Sequence, residues 1–429
     1  MNWKAKLKGY NWIGISVFLV LVVYLVFKAI DSNVGNDINV YLFAAESYIN
    51  GENIYTNNPY NFYLYSPLFT LLLAPLTLLP WELSRTLWLF INIACLWRIF
   101  VIIRAYCQDH IALNKRNYRV WVGVLVILSL GFVNHNVNLG QITILILWLT
   151  LEAIVKSNSG QWAKAGLLLA LGINIKIIPI IVIGYWFLQG KFKAIAATFI
   201  ILGISFIVPA LYSGWERNAE LHQTWAETIN PDREKYAFEN NNGCHSLNAV
   251  LPAFFYTFPE GDSPTLGNLN RKIVSMDYDT LKNILQFLRI FLLLSVAVIV
   301  FYKAAHRRNT YLYAWWEMSY LLLVSLLVLP HQMKYSMLYF VPIAAYVVYY
   351  FLLLIQRKTN LSNGHKMVGT ISAILIFVLS IMGRDIIGDD IVNFLDFYHF
   401  MGISNLIFVG ILYYCTPYRL NQVLSGKSH

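Results

Sequence analysis

Residues 36–68 read NDINVYLFAAESYINGENIYTNNPYNFYLYSPL, a tyrosine-rich stretch that carries Asp37, Glu46 and Glu52 and neither lysine nor arginine. From Ile38 the apolar positions Tyr41, Leu42, Ala45 and Ile49 recur three, four, seven and eleven residues on, which is the pattern of one helical face. Gly51 is the stop signal of that helix. A carboxylate at its first position, Asp37, suits two roles. It accepts backbone N–H groups as a cap. Held at a membrane surface beside a substrate hydroxyl, it takes a proton as a general base. The roles are compatible, and spacing alone leaves both open.

Cations come next. Lys176 interrupts the apolar run AGLLLALGINIKIIP, and an ionisable side chain at membrane depth either marks a functional site or snorkels to the interface. His331, Gln332 and Lys334 follow Pro330 in LLVLPHQMKYSML. Singly each reads as an interfacial anchor; together with Lys176 they supply donors suited to a phosphate whose charge grows as it leaves. His245, in NGCHSLN, reads as a loop hydrogen bonder rather than a ligand. Asp389 and Asp390 are an acidic pair of a metal-binding kind, yet their place near the last outer loop favours a solvated loop end. Cys95, Cys107, Cys244 and Cys415 show no metal spacing, which points to small core residues and away from a disulfide framework.

The elements that must position these residues follow from composition. The 429 residues are 58% hydrophobic and 13% charged, with a mean hydropathy of +0.55. A soluble domain carries about 25% charged residues, so the chain reads as an all-α polytopic membrane protein. Its net charge of +10 suggests a nucleic-acid partner only until the basic residues are located. They cluster at the ends of apolar segments, as membrane topology requires.

Residues 12–30, after Lys4, Lys6 and Lys8, read as a retained first helix, since the exit KAIDSNVGND lacks a cleavage pattern. Further spans are expected at 82–104, 120–134, 141–155, 194–212, 284–304, 311–329, 335–355, 367–383 and 400–416. A two-legged hairpin over 164–190, broken at Lys176 and Pro179, completes about 12 crossings with both termini cytoplasmic. The run 66–80, with Pro67, Pro75 and Pro80, is placed as an interfacial or re-entrant helix. Counting it as a span would put Arg104, Lys115, Arg116 and Arg119 outside, against the positive-inside rule. One membrane-embedded domain over 1–429 results, with large outer loops at 31–81 and 213–283 and Lys176 the lone ionisable residue inside a span.

DINVYLFAAESYINGENIY followed by YLYSPLFTLLLAPLTLLP resembles the first outer loop of GT-C-fold, polyprenyl-phosphate-dependent mannosyltransferases, in particular glycosyltransferase family 87, which contains the mycobacterial phosphatidylinositol mannoside mannosyltransferases. The likeness rests on Asp37, Gly51, Tyr55, Tyr63, Tyr65, Pro67, Pro75 and Pro80. It continues in order through NLGQITILIL, AGLLLALGINIKIIP, NGCHSLN and LVLPHQMKYS. Ser66, Cys244–His245 and Gln332 depart from the family pattern.

The resemblance implies a GT-C-type fold with outer-face interfacial helices. It implies inverting transfer of a hexose, with mannose the family's sugar, from a polyprenyl-phosphate donor to a lipid or glycan acceptor hydroxyl on the non-cytoplasmic face. Asp37 would be the general base, and Lys176, His331 and Lys334 would hold the donor phosphate. Glu46, Tyr63, Tyr65, Gln141, His245 and Asn248 would contact acceptor or sugar. No cofactor and no metal is required on this reading, because protein cations supply the charge stabilisation. The partners are membrane lipids, the lipid-linked donor and the acceptor, and the chain is expected to be a monomer of a bacterial inner membrane. Two alternatives share the composition: a transporter or flippase of lipid-linked sugars, which would line a midplane path, and a glycan ligase using undecaprenyl pyrophosphate, which would depend on a His or Arg rather than Asp37.

Overall fold

Apolar periodicity over most of the chain leaves helices as the only elements able to satisfy their own backbone in lipid. The computed structural model describes residues 20, 23, 36–56, 58–60, 63–229, 237–259, 266, 269–305, 311–359 and 361–425. Among them there is no strand, only an isolated bridge between Cys244 and Met333. The first expected span, 12–30, lies outside the described residues except for positions 20 and 23. The chain divides into two units, residues 1–102 with 134–230, and residues 103–133 with 231–429.

The first unit opens with α1 (Asn36–Ile49), α2 (Pro67–Leu73) and a 3-10 turn over Ala74–Leu78. Next come α3 (Trp81–His110) and α4 (Lys115–Leu139), of which residues 103–133 count with the second unit. Fourteen residues of α1 reach about 21 Å, short of a bilayer core. Its inner face is broader than the sequence pattern: Ile38, Val40, Tyr41, Ala44, Ala45 and Tyr48 are buried, whereas Ile49 is exposed. Gly51 ends the helix in the left-handed region at φ +83°, with Glu52 N–H donating to Ser47 O (2.8 Å) and Gly51 N–H to Tyr48 O (3.3 Å), a Schellman closure. Helix α2 starts with Ser66 as N-cap and Pro67 behind it. With the 3-10 turn it forms a short apolar helix of residues Pro67–Leu78, too short to span, as expected for 66–80.

Helices α5 (Thr143–Asn158), α6 (Trp162–Ile175), α7 (Ile181–Leu188) and α8 (Phe192–Ile207) follow, then α9 (Ala210–Ser213) and α10 (Trp215–Ile229). The hairpin expected over 164–190 is present. A Cβ on Gly166, early in α6, would lie 2.5 Å from the Ala197 Cβ, early in α8. At the same end the Lys191 Nζ donates to the Ser157 Oγ (3.1 Å). The chain therefore leaves along α6 and returns through α7, and the extended residue Lys176 (φ −151°, ψ 137°) sits at the turn.

Lys176 is not the lone ionisable residue inside apolar helices. Arg98 of α3 binds Glu152 of α5 through two hydrogen bonds, Nε to Oε2 at 2.7 Å and NH2 to Oε1 at 2.9 Å, with the Lys156 ammonium 3.3 Å from the same carboxylate. Pairing is what permits a carboxylate there, because an ion left unpaired in a low-dielectric setting costs several kcal/mol (about 3–5 when one partner is removed).

The second unit holds α11 (Leu247–Phe255), α12 (Tyr278–Ala305), α13 (Tyr311–Val328), α14 (Phe340–Gln356), α15 (Asn363–Ile381), α16 (Arg384–Ile387), α17 (Asp389–Phe397), α18 (Phe400–Tyr414) and α19 (Pro417–Leu424). Helix α13 is its core and also buries Glu317. Large aromatic residues pack there with their polar tips on carbonyl oxygens: Trp121 Nε1 to Ala345 O (2.9 Å), Trp316 Nε1 to Leu412 O (2.9 Å) and Tyr346 OH to Cys415 O (2.6 Å).

Seven helices among the described residues are long and apolar enough to cross a membrane, and eight if α17 and α18, bent by 56°, count as one span. The expected twelve differ for physical reasons. Both hairpin legs and the sixteen-residue α5 are too short for the count, and the first span lies outside the described residues. The chain is a multi-pass membrane protein, helical throughout its regular elements among the described residues.

Candidate functional site

Asp37 stands at the start of α1, half-buried. Its partner comes from the end of α4. That helix closes on Gly140 at φ +67°, with Gly140 N–H donating to Val137 O (3.1 Å) and Gln141 N–H to Asn136 O (2.8 Å). A Cβ on Gly140 would lie 3.0 Å from the Ile38 Cγ2 and 3.2 Å from the Ile38 nitrogen. Glycine is thus needed twice, for the left-handed turn and for the approach of α1. The Trp88 indole donates to Gly140 O (2.9 Å) and pins the turn from α3. So fixed, buried Gln141 donates its Nε2–H to the Asp37 Oδ2.

Burial pushes the Asp37 carboxyl up to about 6, opposed by the Lys176 charge and by the Gln141 hydrogen bond. Asp37, Gln141 and Lys176 are therefore one cluster. A carboxyl poised there releases and takes a proton near neutrality, the condition for an effective general base. Lys176 reaches this end because α6 stops at the hairpin tip. There Pro179 packs under Gly172, whose missing Cβ would lie 3.2 Å from the Pro179 Cγ.

The tyrosines form the wall behind the carboxylate. Tyr65 shares a hydroxyl hydrogen bond with Tyr41 (3.0 Å), and Tyr63 shares one with Thr70 (2.8 Å). Burial raises both the Tyr63 and Tyr65 phenols far above their ordinary value, and the Asp37 charge adds to the effect at Tyr65. Both rings are buried, whereas Glu46 is exposed on α1. Arg85, which the sequence reading did not single out, donates to the Asn39 Oδ1 (3.0 Å), two residues from Asp37.

In the second unit His331, Gln332 and Lys334 are placed by the turn between α13 and the 3-10 segment Lys334–Tyr339. His331 has φ +57°, a backbone conformation that a non-glycine residue holds only when its surroundings enforce it. Its Nδ1 lies 3.3 Å from the Glu239 Oε1 and 4.0 Å from the Cys244 Sγ. Gln332 is buried, and its carbonyl accepts from His245 N–H (2.7 Å). Lys334 donates its Nζ–H to Met382 O (2.7 Å).

His245 is buried beside His399, with ring centroids 6.4 Å apart. Burial, with the nearby His399 and Lys334 charges, drops its imidazole to about 3, so it stays neutral. Asn248 donates to Ala237 O (3.2 Å) and accepts from Arg289. Asp389 pairs with Arg384 at 2.9 Å on the surface. Glu239 and His399 are residues here that the sequence reading did not select. Glu239 opens the polar stretch ENNNGCHSLN, but its acid gains meaning only through His331.

No curated protein and no solved structure matches the chain. The sequence model of glycosyltransferase family 87 matches residues 63–330, more than half of the chain. That segment contains Tyr63, Tyr65, Gln141, Lys176, Glu239, His245 and Asn248, with Asp37 ahead of it and His331 directly after it. Apolar helices long enough to span a bilayer and this match together identify the chain as a membrane glycosyltransferase that belongs to glycosyltransferase family 87.

Proposed function

We propose that the protein transfers a hexose, mannose by family likeness, from a polyprenyl-phosphate donor to an acceptor hydroxyl on the non-cytoplasmic face of the membrane, with inversion and with Asp37 as the base. The reading draws its main support from the cluster of Asp37, Gln141 and Lys176. As the acceptor oxygen attacks the anomeric carbon, its proton passes to an Asp37 oxygen, and the bond from that carbon to the phosphate oxygen breaks. The electron pair leaves with the lipid phosphate, whose growing charge Lys176 would stabilise. Gln141 leaves one Asp37 oxygen engaged and the other for the acceptor. The resemblance also assigns His331 and Lys334 to the phosphate, an assignment that rests on motif order. A GT-C-type fold is part of the same proposal.

Two measurements test the donor side. Incubating membranes that contain the protein with radiolabelled lipid-phosphate sugars should give transfer from a polyprenyl-phosphate hexose and none from a sugar nucleotide; transfer from the nucleotide alone would reject the donor class. The variants Lys176→Ala and His331→Ala should each weaken donor binding tenfold or more, and unchanged affinity in both would remove them from the phosphate site.

A further inference from the structure

Glu239, Cys244 and His331 bring a carboxylate oxygen, a thiol sulfur and an imidazole nitrogen to within 4.8 Å of one another. The Glu239 Oε1 and Cys244 Sγ lie 3.3 and 4.0 Å from the His331 Nδ1. Ligand atoms on a tetrahedral zinc ion at the usual bond lengths sit roughly 3.3–3.7 Å apart, so the Glu239–His331 pair already has that spacing, the Cys244–His331 pair lies about 0.3 Å beyond it, and the Glu239–Cys244 pair, within 4.8 Å, closes by at most about 1 Å.

Its frame is fixed on both sides. The Cys244–Met333 bridge and the His245 N–H to Gln332 O bond (2.7 Å) hold the two ligand segments together. Ser246 donates its Oγ–H to the Glu239 Oε2 (3.0 Å), and Glu239 N–H donates to Asn248 O (2.9 Å). These bonds occupy one carboxylate oxygen and leave Oε1 facing the cluster, where it is buried and accepts no hydrogen bond. From behind, His399 donates from Nδ1 to Cys244 O (2.8 Å). His331 sits within this frame in the left-handed region, at φ +57°.

We infer that Glu239 Oε1, Cys244 Sγ and His331 Nδ1 form a three-ligand site for a divalent ion of zinc type, with a fourth position open to a water or an anionic oxygen. The mixed sulfur, nitrogen and oxygen set selects zinc or cobalt over magnesium, which demands an octahedron of oxygens. On binding, the Cys244 thiol gives its proton to solvent, while the His331 Nδ1 and the Glu239 Oε1 coordinate through their lone pairs. The sequence reading required no metal; the folded arrangement supplies a place for one.

The test uses the purified full-length protein in detergent, freed of metal by a chelator and then titrated with Co2+ or Zn2+. About one cobalt per chain should bind, with the thiolate-to-cobalt charge-transfer absorption that only a coordinated cysteine gives. Cys244→Ser should abolish that absorption, and Glu239→Gln should keep it while weakening affinity tenfold or more. A wild-type protein that binds cobalt without the absorption, or retains no zinc, overturns the site whatever the variants do. Metal content and absorption are read without turnover, so failure here leaves the role of Asp37 untouched, and failure of Asp37 as a base leaves this site standing.

Discussion

A carboxyl held at about 6 makes activity depend on pH in a direction that can be stated. Asp37 must be ionised to take a proton, so kcat/KM should rise with pH through about 6 and level off above it. Gln141 and Lys176 both oppose the upward push of burial. Removing either, as Gln141→Leu or Lys176→Met, should move that midpoint higher and cut the plateau tenfold or more. A midpoint that stays in place in both variants would show that neither acts on the base.

The same residue has a stability cost. Its proton is bound more tightly in the folded protein than in the unfolded chain, so stability is greatest below about pH 4 and falls as pH rises to about 6. The shift from the ordinary 3.8 to about 6 corresponds to roughly 3 kcal/mol when the carboxyl is fully ionised. Asp37→Asn removes the ionisation. The melting temperature of this variant relative to wild type should therefore be higher at pH 7 than at pH 4, and equal differences at both would show an unstrained carboxylate.

At the scale of elements, local chemistry was legible where a short stretch carries its own signal. The spacing from Ile38 to Ala45 gives α1 its buried face, and Gly51 gives its end. Lys176 with Pro179 gives the break between α6 and α7. What escaped were meetings across long loops. Gln141 and Asp37 stand 104 residues apart, Trp88 and Gly140 stand 52 apart, and Cys244 and His331 stand 87 apart. No periodicity records which distant segment fills a given space. Arg98 and Glu152 were visible inside apolar runs, but the buried Glu152 is tolerable only through Arg98 and Lys156, and its pairing with Arg98 is a tertiary fact.

Gly140 is the element-scale test. Gly140→Ala puts a Cβ against Ile38 in a left-handed turn, which should cost about 1–3 kcal/mol and, by moving α1, lower turnover more than substrate affinity. Gly184→Ala, where nothing lies within 4 Å and the backbone is ordinary, serves as the control and should leave both unchanged. Equal behaviour of the two variants would deny the turn its role.

For the whole molecule, hydropathy was enough to place the chain in the membrane, whereas the count of crossings turns on length, by which seven or eight helices pass among the described residues and α5, α6 and α7 fall short. If α6 and α7 form a re-entrant pair, both ends of the hairpin lie on one side of the membrane. Single reporter cysteines at the exposed positions Asn50, Lys164 and Lys193 test this in intact cells, since the four native cysteines are buried. An impermeant thiol reagent should label Asn50→Cys from outside and reach Lys164→Cys and Lys193→Cys only after permeabilisation. Labelling of Lys164→Cys and Lys193→Cys from opposite faces would turn the hairpin into a span.

The most direct measurement is turnover by purified Asp37→Asn with a polyprenyl-phosphate hexose and a lipid acceptor, beside its donor affinity and melting curve. The variant should fold and bind donor as wild type does, while transfer falls by about 10²–10⁴-fold. Wild-type turnover in that variant would contradict the assignment of Asp37 as the base.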